Sequence, residues 1–377
     1  MPGRRAQHES FATPRVSPVF VGRDREVACL TAALEAAGAA RTTAVVVAGE
    51  SGVGKTRLIT HFAQLAAERG STVLVGRCIE LQDACPPYWP FLDAFRRLLG
   101  RLDPGQVDEL VGPFRCDVAP LLPGGRPGEL ISRRQGRARF FELVLGLAER
   151  LAAHSTVALL IEDLHWADQS TRDLLGFLLA NIEDRMLVVA THRDDGLGPD
   201  HPLLPLLAEL RRRRVGFLEL APFSEEELTD LVRAILGADP DPELMAGIWS
   251  RSDGNPFFAE ELLAAAHQGH DRDLTPTLHH ILHARMASLS SEAQLVARVV
   301  AAATGPVSYA LLEAVAPTPG LLPGLRECVR SDVLVVDRSS RYWFRHSLVR
   351  EVVYGTLLPG EAAQVHTMYG DALDRRP

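Results

Sequence analysis

Lysine is all but missing from this chain. Of its 40 basic residues, one (Lys55) is a lysine and the other 39 are arginines. An ammonium is a compact point charge on a thin stem, whereas a guanidinium is a broad planar fork. A position that keeps the first in an arginine-rich chain points to a narrow anion-binding cradle. Cysteine is scarce as well. Cys29, Cys78, Cys85, Cys116 and Cys328 are odd in number and scattered, with no CxxC pair. Neither a zinc site nor a disulfide framework is indicated, and a reducing cytoplasm is the expected location. No apolar run approaches the ~20 residues of a membrane span, so no membrane partner is expected. The start of the chain has Arg4 and Arg5 but no apolar stretch behind them, which is not a signal peptide. The formal net charge of -8 argues against nonspecific nucleic-acid binding by the chain as a whole. A local basic surface remains open.

What is present is globular. With 377 residues, 46% hydrophobic and 23% charged, the chain is long enough for two or three domains that bury cores without disulfide staples. Residues 1–17 read as a polar, disordered tail. Apolar runs at 42–48, 72–76, 157–161, 186–190 and 217–220 alternate with helical periodicity at 23–39, 55–69, 91–99 and 133–153. Strands alternating with helices predict an α/β fold: a parallel sheet covered on both faces. Residues 102–130, rich in Pro and Gly, read as irregular. Ser224 followed by Glu225, Glu226 and Glu227 reads as a helix start with a capping box, and residues 224–267 read as helical. Beyond 275 the pattern is helical apart from a strand pair at 333–336 and 342–345, which suggests a winged helix. The expected divisions are a tail (1–17), a nucleotide-binding sheet domain (18–222), a helical lid (223–272) and a winged-helix domain with the start of a C-terminal helical region (273–377).

The segment Gly49-Glu50-Ser51-Gly52-Val53-Gly54-Lys55-Thr56 matches the phosphate-binding P-loop, GxxxxGK[ST]. A strand pattern precedes it and a helix pattern follows. Glycines let backbone amides turn toward phosphates, and the helix N-terminus adds partial positive charge. Lys55 is expected to reach the β- and γ-phosphates of ATP or ADP, and Thr56 to ligate Mg2+. Glu162 and Asp163 close the third strand, where ligands bind in open parallel sheets. Paired acids there hold Mg2+ through water and orient an attacking water; which acid does which task stays open. Arg193, at the end of the fourth strand, is either a sensor of the γ-phosphate or a surface arginine. Trp166 reads as packing the start of the next helix, and Asp168 as its N-cap. Arg211, Arg212, Arg213 and Arg214 read as a solvated helix end in preference to a nucleic-acid or anionic-partner contact. His279, His280 and His283 have no matching carboxylate or cysteine and read as non-ligands.

At this point the motifs resemble a known family. Phe20-Val21-Gly22-Arg23-Asp24-Arg25-Glu26 resembles the opening segment of the STAND branch of AAA-like ATPases. The stretch from Leu159 to Asp168 is similar to that group's extended Walker B. Ser252-Asp253-Gly254-Asn255-Pro256-Phe257-Phe258 resembles its G-x-P motif, and Phe344-Arg345-His346-Ser347-Leu348-Val349-Arg350-Glu351 a segment of its winged-helix domain. The combination is most similar to the N-terminal ATPase region of large LuxR-type (LAL) transcriptional regulators. The resemblance implies a slow regulatory ATPase that cycles between an ADP-bound closed form and an ATP-bound open form. Val21, Gly22 and Arg23 would lie beside the adenine or ribose, and Pro256 would pack on the adenine. Arg193 would serve as sensor 1, and His346 would touch the β-phosphate of ADP. Pro256 as a plain helix opener and His346 as a core histidine are the competing readings. The resemblance also implies self-association in the ATP state, and DNA contact only through a C-terminal region absent from this chain. Two departures stand out. The chain stops where the helical repeats of such regulators would begin, as a fragment or a short stand-alone member would. Ala362 follows Pro359-Gly360-Glu361, where an arginine is frequent. The rival functions are an AAA-type motor or loader acting on nucleic acid, and a nucleotide-binding scaffold that never hydrolyses.

Overall fold

A computed structural model describes residues 17–39, 42–79, 87–112, 136–182, 185–213, 215–267 and 274–374, apart from 18, 196 and 199. The chain divides into two compact units. One is Arg23–Ala221; the other joins Met1–Gly22 to Pro222–Pro377.

The first unit is built on five parallel strands, β1 (Thr43–Gly49), β2 (Thr72–Arg77), β3 (Val157–Glu162), β4 (Met186–Thr191) and β5 (Gly216–Leu220), in the order β2-β3-β4-β1-β5. Every residue of β3 and β4 is buried. That is why these strands are continuous Val, Leu, Ile and Ala runs rather than alternating ones: both faces of a parallel sheet are covered. Around the sheet lie α1 (Asp24–Gly38), α2 (Lys55–Glu68), α3 (Trp89–Leu99), α4 (Pro104–Val111), α5 (Gly136–His154), α6 (Gln169–Asn181) and α7 (Leu204–Arg212). Phe91, Phe95, Phe140, Leu147, Leu159 and Leu174 meet in one core. The chain leaves β1 toward β2 and leaves β4 toward β5, in opposite directions. A crevice therefore opens between the C-terminal ends of β1 and β4, where ligands settle in such sheets.

Two sequence readings are corrected here. Residues 104–111, expected to be irregular, form α4. Asp103 accepts from the Gln106 amide at 2.9 Å and the Gln106 side chain accepts from the Asp103 amide at 3.1 Å, a complete capping box. Arg150 of α5 closes the other end by donating to the Leu110 carbonyl at 2.6 Å and to that of Glu109. The caps outweigh the Pro and Gly composition. The rest of the 102–130 reading, from 113 on, lies outside the described residues. The tail assigned to 1–17 also lies outside them apart from Ser17, which is buried and donates its amide to Glu260 at 3.2 Å.

In the second unit, α8 (Glu225–Leu236), α9 (Pro242–Ser252) and α10 (Pro256–His267) precede α11 (Pro276–Ala287) and α12 (Ser291–Ala301). Ser224 and Glu227 form the expected capping box at the start of α8. Next come β6 (Val307–Ser308), α13 (Tyr309–Val315), α14 (Leu321–Arg330), β7 (Leu334–Val336), β8 (Arg341–Phe344), α15 (Ser347–Gly355) and α16 (Pro359–Asp374). The strand pair read from sequence is part of a three-stranded antiparallel sheet, β6-β8-β7. Its third strand is two residues long, too short to show a period. One core runs from Phe223 through Leu262, Val300 and Leu325 to Tyr369, so helices 225–267 and the elements beyond 276 share their hydrophobic interior.

Two glycines give opposite expectations. A Cβ on Gly76 would stand 2.2 Å from the Pro90 carbonyl oxygen, whereas one on Gly247, inside α9, would meet nothing within 4 Å. Gly76→Ala should lower stability by about 1–3 kcal/mol. Gly247→Ala should raise that of the second unit by about 0.4–1 kcal/mol. Urea unfolding of both variants beside the parent chain checks the pair.

Candidate functional site

The loop between β1 and α2 is shaped by its glycines. Gly54 has φ +103, a backbone L side chains rarely adopt, although a Cβ there would meet nothing within 4 Å. Gly49 could carry no Cβ, because the Leu220 carbonyl oxygen would lie 2.9 Å away. Lys55 opens α2 and is buried. Its ammonium donates to the carbonyl oxygens of Gly49 and Glu50, each at 2.7 Å. Two of its three protons are therefore spent on the loop's own backbone, which holds the ammonium under the cradle and leaves the third for a ligand. Burial pushes the Lys55 pKa down. The carboxylate of Asp195 opposes this most, with Asp194 and Asp163 behind it, while Arg193 adds to the depression. Thr56 is exposed on the first turn of α2.

The acids at the end of β3 go separate ways. Glu162 is buried, and one carboxylate oxygen accepts from Arg77 of β2 at 3.0 Å. The other, Oε2, is buried with no hydrogen-bond partner. Arg77 faces Glu162 across the β2–β3 register. Asp163 stands one residue beyond the strand at φ 58, and its amide donates to the Thr191 hydroxyl of β4 at 3.0 Å. Of the two, Asp163 is the acid whose charge is felt at Lys55.

Beyond β4, the His192 amide donates to the Val47 carbonyl at 3.0 Å, which ties this exit to β1. The Arg193 amide donates to Nδ1 of His165 at 3.3 Å. Because Nδ1 accepts, the proton of the neutral imidazole sits on Nε2, which is buried with no partner. Burial, then the nearby positive charges of Arg193 and Lys55, push the His165 pKa down to about 3. Asp195 completes the group: its Oδ1 accepts the Ser51 amide of the loop at 3.0 Å. The unit thus brings the loop, Asp163 and Arg193 together, all named from sequence, and turns Glu162, also named, toward Arg77. It adds Arg77, Thr191 and Asp195, which carry no motif of their own, and His165, which lies within the stretch resembling the extended Walker B. The Arg77–Glu162 pairing comes from the β2–β3 register, which no pattern along the chain gives.

Other expectations fare variously. Arg23, expected beside a base, starts α1 at φ 66 and donates through its guanidinium to the carbonyls of Val53 (3.1 Å) and Ala221 (2.7 Å). Its side chain therefore braces the loop against the end of β5. Trp166 is corrected: it is 37% exposed, its ring 4.9 Å from that of His165, and Leu164 and Ala167 do the packing instead. Asp168 caps α6 by accepting from Ser170 at 3.0 Å and Thr171 at 3.3 Å. Arg212 and Arg213 are exposed and paired with Glu209, and Arg211 lies 4.8 Å from the Phe217 ring. Arg214 is outside the described residues. His279 and His283 lie ring to ring at 4.4 Å. Among the described residues no group of three or more His, Cys, Asp or Glu is placed to hold a metal, and no helix is long and apolar enough to cross a membrane.

Val21, Gly22, Pro256 and His346 belong to the second unit. Pro256 is buried at the first position of α10, the helix-opening placement, with Asn255 accepting the Phe257 amide at 3.1 Å. The turn before it needs its glycine: Gly254 has φ +76, and a Cβ there would lie 2.4 Å from the Phe223 carbonyl. His346 is buried and meets the Phe258 ring edge-on at 5.5 Å. Beside it, Ser347 donates its amide to Asp253 at 2.9 Å, and Arg251 pairs with Glu351 at 2.7 Å. Two distant motifs therefore meet in one place. Val21 is half-buried against the same core.

With this geometry in view, residues 19–189 match the family described as AAA ATPase domain. The chain is 23% identical over 392 residues to an uncharacterised protein of Rhizobium meliloti (strain 1021), covering 94% of this chain and 37% of that protein. It therefore spans little more than a third of the curated relative it matches. Among solved structures, the ORC2 protein of Aeropyrum pernix, described in ADPNP and ADP complexes, is similar with a TM-score of 0.53 at 15% identity, over 95% of this chain and 96% of that one. This likeness is one of fold. A STAND protein with a tetratricopeptide repeat sensor from Pyrococcus horikoshii aligns at 18% identity and a TM-score of 0.38, over 96% of this chain and 47% of that one.

The depressed His165 pKa sets a pH dependence. A histidine kept neutral in the fold contributes stability that is whole above its unfolded pKa of 6.5 and is lost as pH falls from there toward about 3. His165→Gln should flatten the fall in stability between about pH 6.5 and 4, read as urea midpoints at several pH values.

Proposed function

We propose that this chain is a nucleotide-driven regulatory switch: a slow ATPase of the STAND type, as in the ATPase region of LuxR-type transcriptional regulators. The observation that carries the reading is the convergence of a buried Lys55, a loop whose glycines Gly49, Gly52 and Gly54 all have positive φ, and the Asp163 charge at one crevice of a parallel sheet. The loop fits a di- or triphosphate. Its amides and helix N-terminus attract anions, and Lys55 keeps a proton to donate. The buried, unpartnered Oε2 of Glu162 and the exposed Thr56 hydroxyl suit a hydrated cation. Bound there through Thr56 and, by way of water, Glu162 and Asp163, Mg2+ would neutralise phosphate charge.

The residues of the chain then divide the work. Gly49, Glu50, Ser51, Gly52, Val53 and Gly54 wrap the phosphates, and Lys55 holds their terminal oxygens. Glu162, anchored by Arg77, serves the cation's water shell. Asp163, whose charge reaches Lys55, orients and deprotonates the attacking water. Arg193 senses the terminal phosphate, held in place through its amide by neutral His165. Val21, Gly22 and Arg23 line the base side. Pro256 and His346 are read as the second unit's contacts to base and phosphate. The helix–strand–helix–helix–strand–strand order from α12 to β8 supports a winged helix there. Driving a switch from 1:99 to 99:1 takes about 5.5 kcal/mol, and one histidine–phosphate hydrogen bond supplies about 1.5–3 kcal/mol. His346 therefore acts together with the turn it packs on. Self-association in the ATP form, and DNA contact through a region outside this chain, belong to the same proposal.

The test is to purify the chain and identify the nucleotide that comes with it. ADP retained by the parent, with affinity lower by about tenfold to a hundredfold in Lys55→Ala, is expected. Nucleotide bound equally well without Lys55 overturns the reading. Asp163→Asn should keep binding while slowing phosphate release by about 10^2-fold or more. A variant with undiminished turnover removes Asp163 from the role given to it.

A further inference from the structure

Asp195 is absent from every motif in the sequence, yet it touches the phosphate loop. Its Oδ1 accepts the Ser51 amide at 3.0 Å, and among the carboxylates around Lys55 it is the one that counts most. It thus accepts a loop amide as a bound phosphate oxygen does, and its negative charge acts on the loop's ammonium as a phosphate's would. Its position tells which phosphate it mimics. Asp195 follows β4, the strand beside β1, and Asp163 follows β3 on the same side. Water must attack from the side of that acid, so the last phosphate of a bound nucleotide points that way. Ser51 lies before both Gly52 and Gly54, at the opposite end of the loop from Thr56. The residues just before Asp195 are tied down through the His192 and Arg193 amides, so the carboxylate acts from a fixed base.

Resting on the reading that residues 49–56 bind nucleotide, we infer that Asp195 is a specificity-determining latch which favours a diphosphate and must leave the Ser51 amide before a triphosphate seats fully. Two anions cannot share that amide without strong repulsion. A diphosphate leaves the latch closed. A triphosphate opens it, and Asp195 leaves the loop. The latch gives the crevice a way to register the third phosphate that does not depend on hydrolysis.

The experiment uses the whole chain, stripped of nucleotide, with ADP and a non-hydrolysable imido analogue of ATP titrated calorimetrically. Asp195→Asn keeps the hydrogen-bond acceptor and removes the charge, Asp195→Ala removes both, and Asp195→Glu keeps the charge. The ratio of analogue affinity to ADP affinity should rise by about tenfold in the Asn and Ala variants, the size of one removed like-charge contact, and stay near the parent value in the Glu variant. Exchange of the Ser51 amide in the nucleotide-free chain should quicken in Asp195→Ala alone. An unchanged ratio overturns the latch. A ratio that falls overturns it too, because the carboxylate would then be helping to hold the triphosphate. A parent chain that binds neither nucleotide sinks the reading of the loop itself; binding with an unmoved ratio sinks only the role of Asp195.

Discussion

One buried ammonium organises the first unit. Lys55 sits at 7% exposure, its charge paid for by two backbone carbonyls of the loop it belongs to. Burying a cation is costly unless partners replace its water. The carbonyls of Gly49 and Glu50, and the carboxylates beyond β3 and β4, are those partners. Without that neighbourhood the loop would hold an unsolvated charge; with it, the loop is preset for an anion. This also accounts for the lone lysine of an arginine-rich chain, because the bulkier guanidinium would need more room than two carbonyls at 2.7 Å leave.

The surrounding charges follow from strand order. β4 lies beside β1 and β3 beside β4, so Arg193, Asp194 and Asp195 reach the loop from one neighbour and Asp163 from the next. Arg77 draws Glu162 toward β2, leaving Asp163 as the acid in the field of Lys55. His165 stays neutral between positive charges and can therefore accept the Arg193 amide, which an imidazolium could not.

The second unit shows the same economy around His346. A left-handed pair, Asp253 and Gly254, turns the chain so that Pro256 opens α10 and Phe258 faces the histidine ring. Asp253 also receives the Ser347 amide at the start of α15. The two segments whose likeness to family motifs was noted at the outset are bonded to each other across about ninety residues of chain, a span read from the 94-residue separation of Asp253 and Ser347.

Much of this was legible in the residues alone, for local reasons. The P-loop is a contiguous string with a strand before it and a helix after it. β3 and β4 are unbroken apolar runs. The caps at Asp168 and Ser224 depend on chemistry within three residues. Where local signals competed, composition misled: the Pro and Gly around α4 concealed the Asp103–Gln106 box. Length misled at β6, where two residues show no period. What only the tertiary structure decided is the set of partners distant in sequence. Arg77 with Glu162, His165 with Arg193 and Asp195 with Ser51 are joined by sheet order, and no pattern along the chain says which strand will lie beside which. A sequence states where its charges are; parallel pairing, which closes over long connections, decides which of them meet.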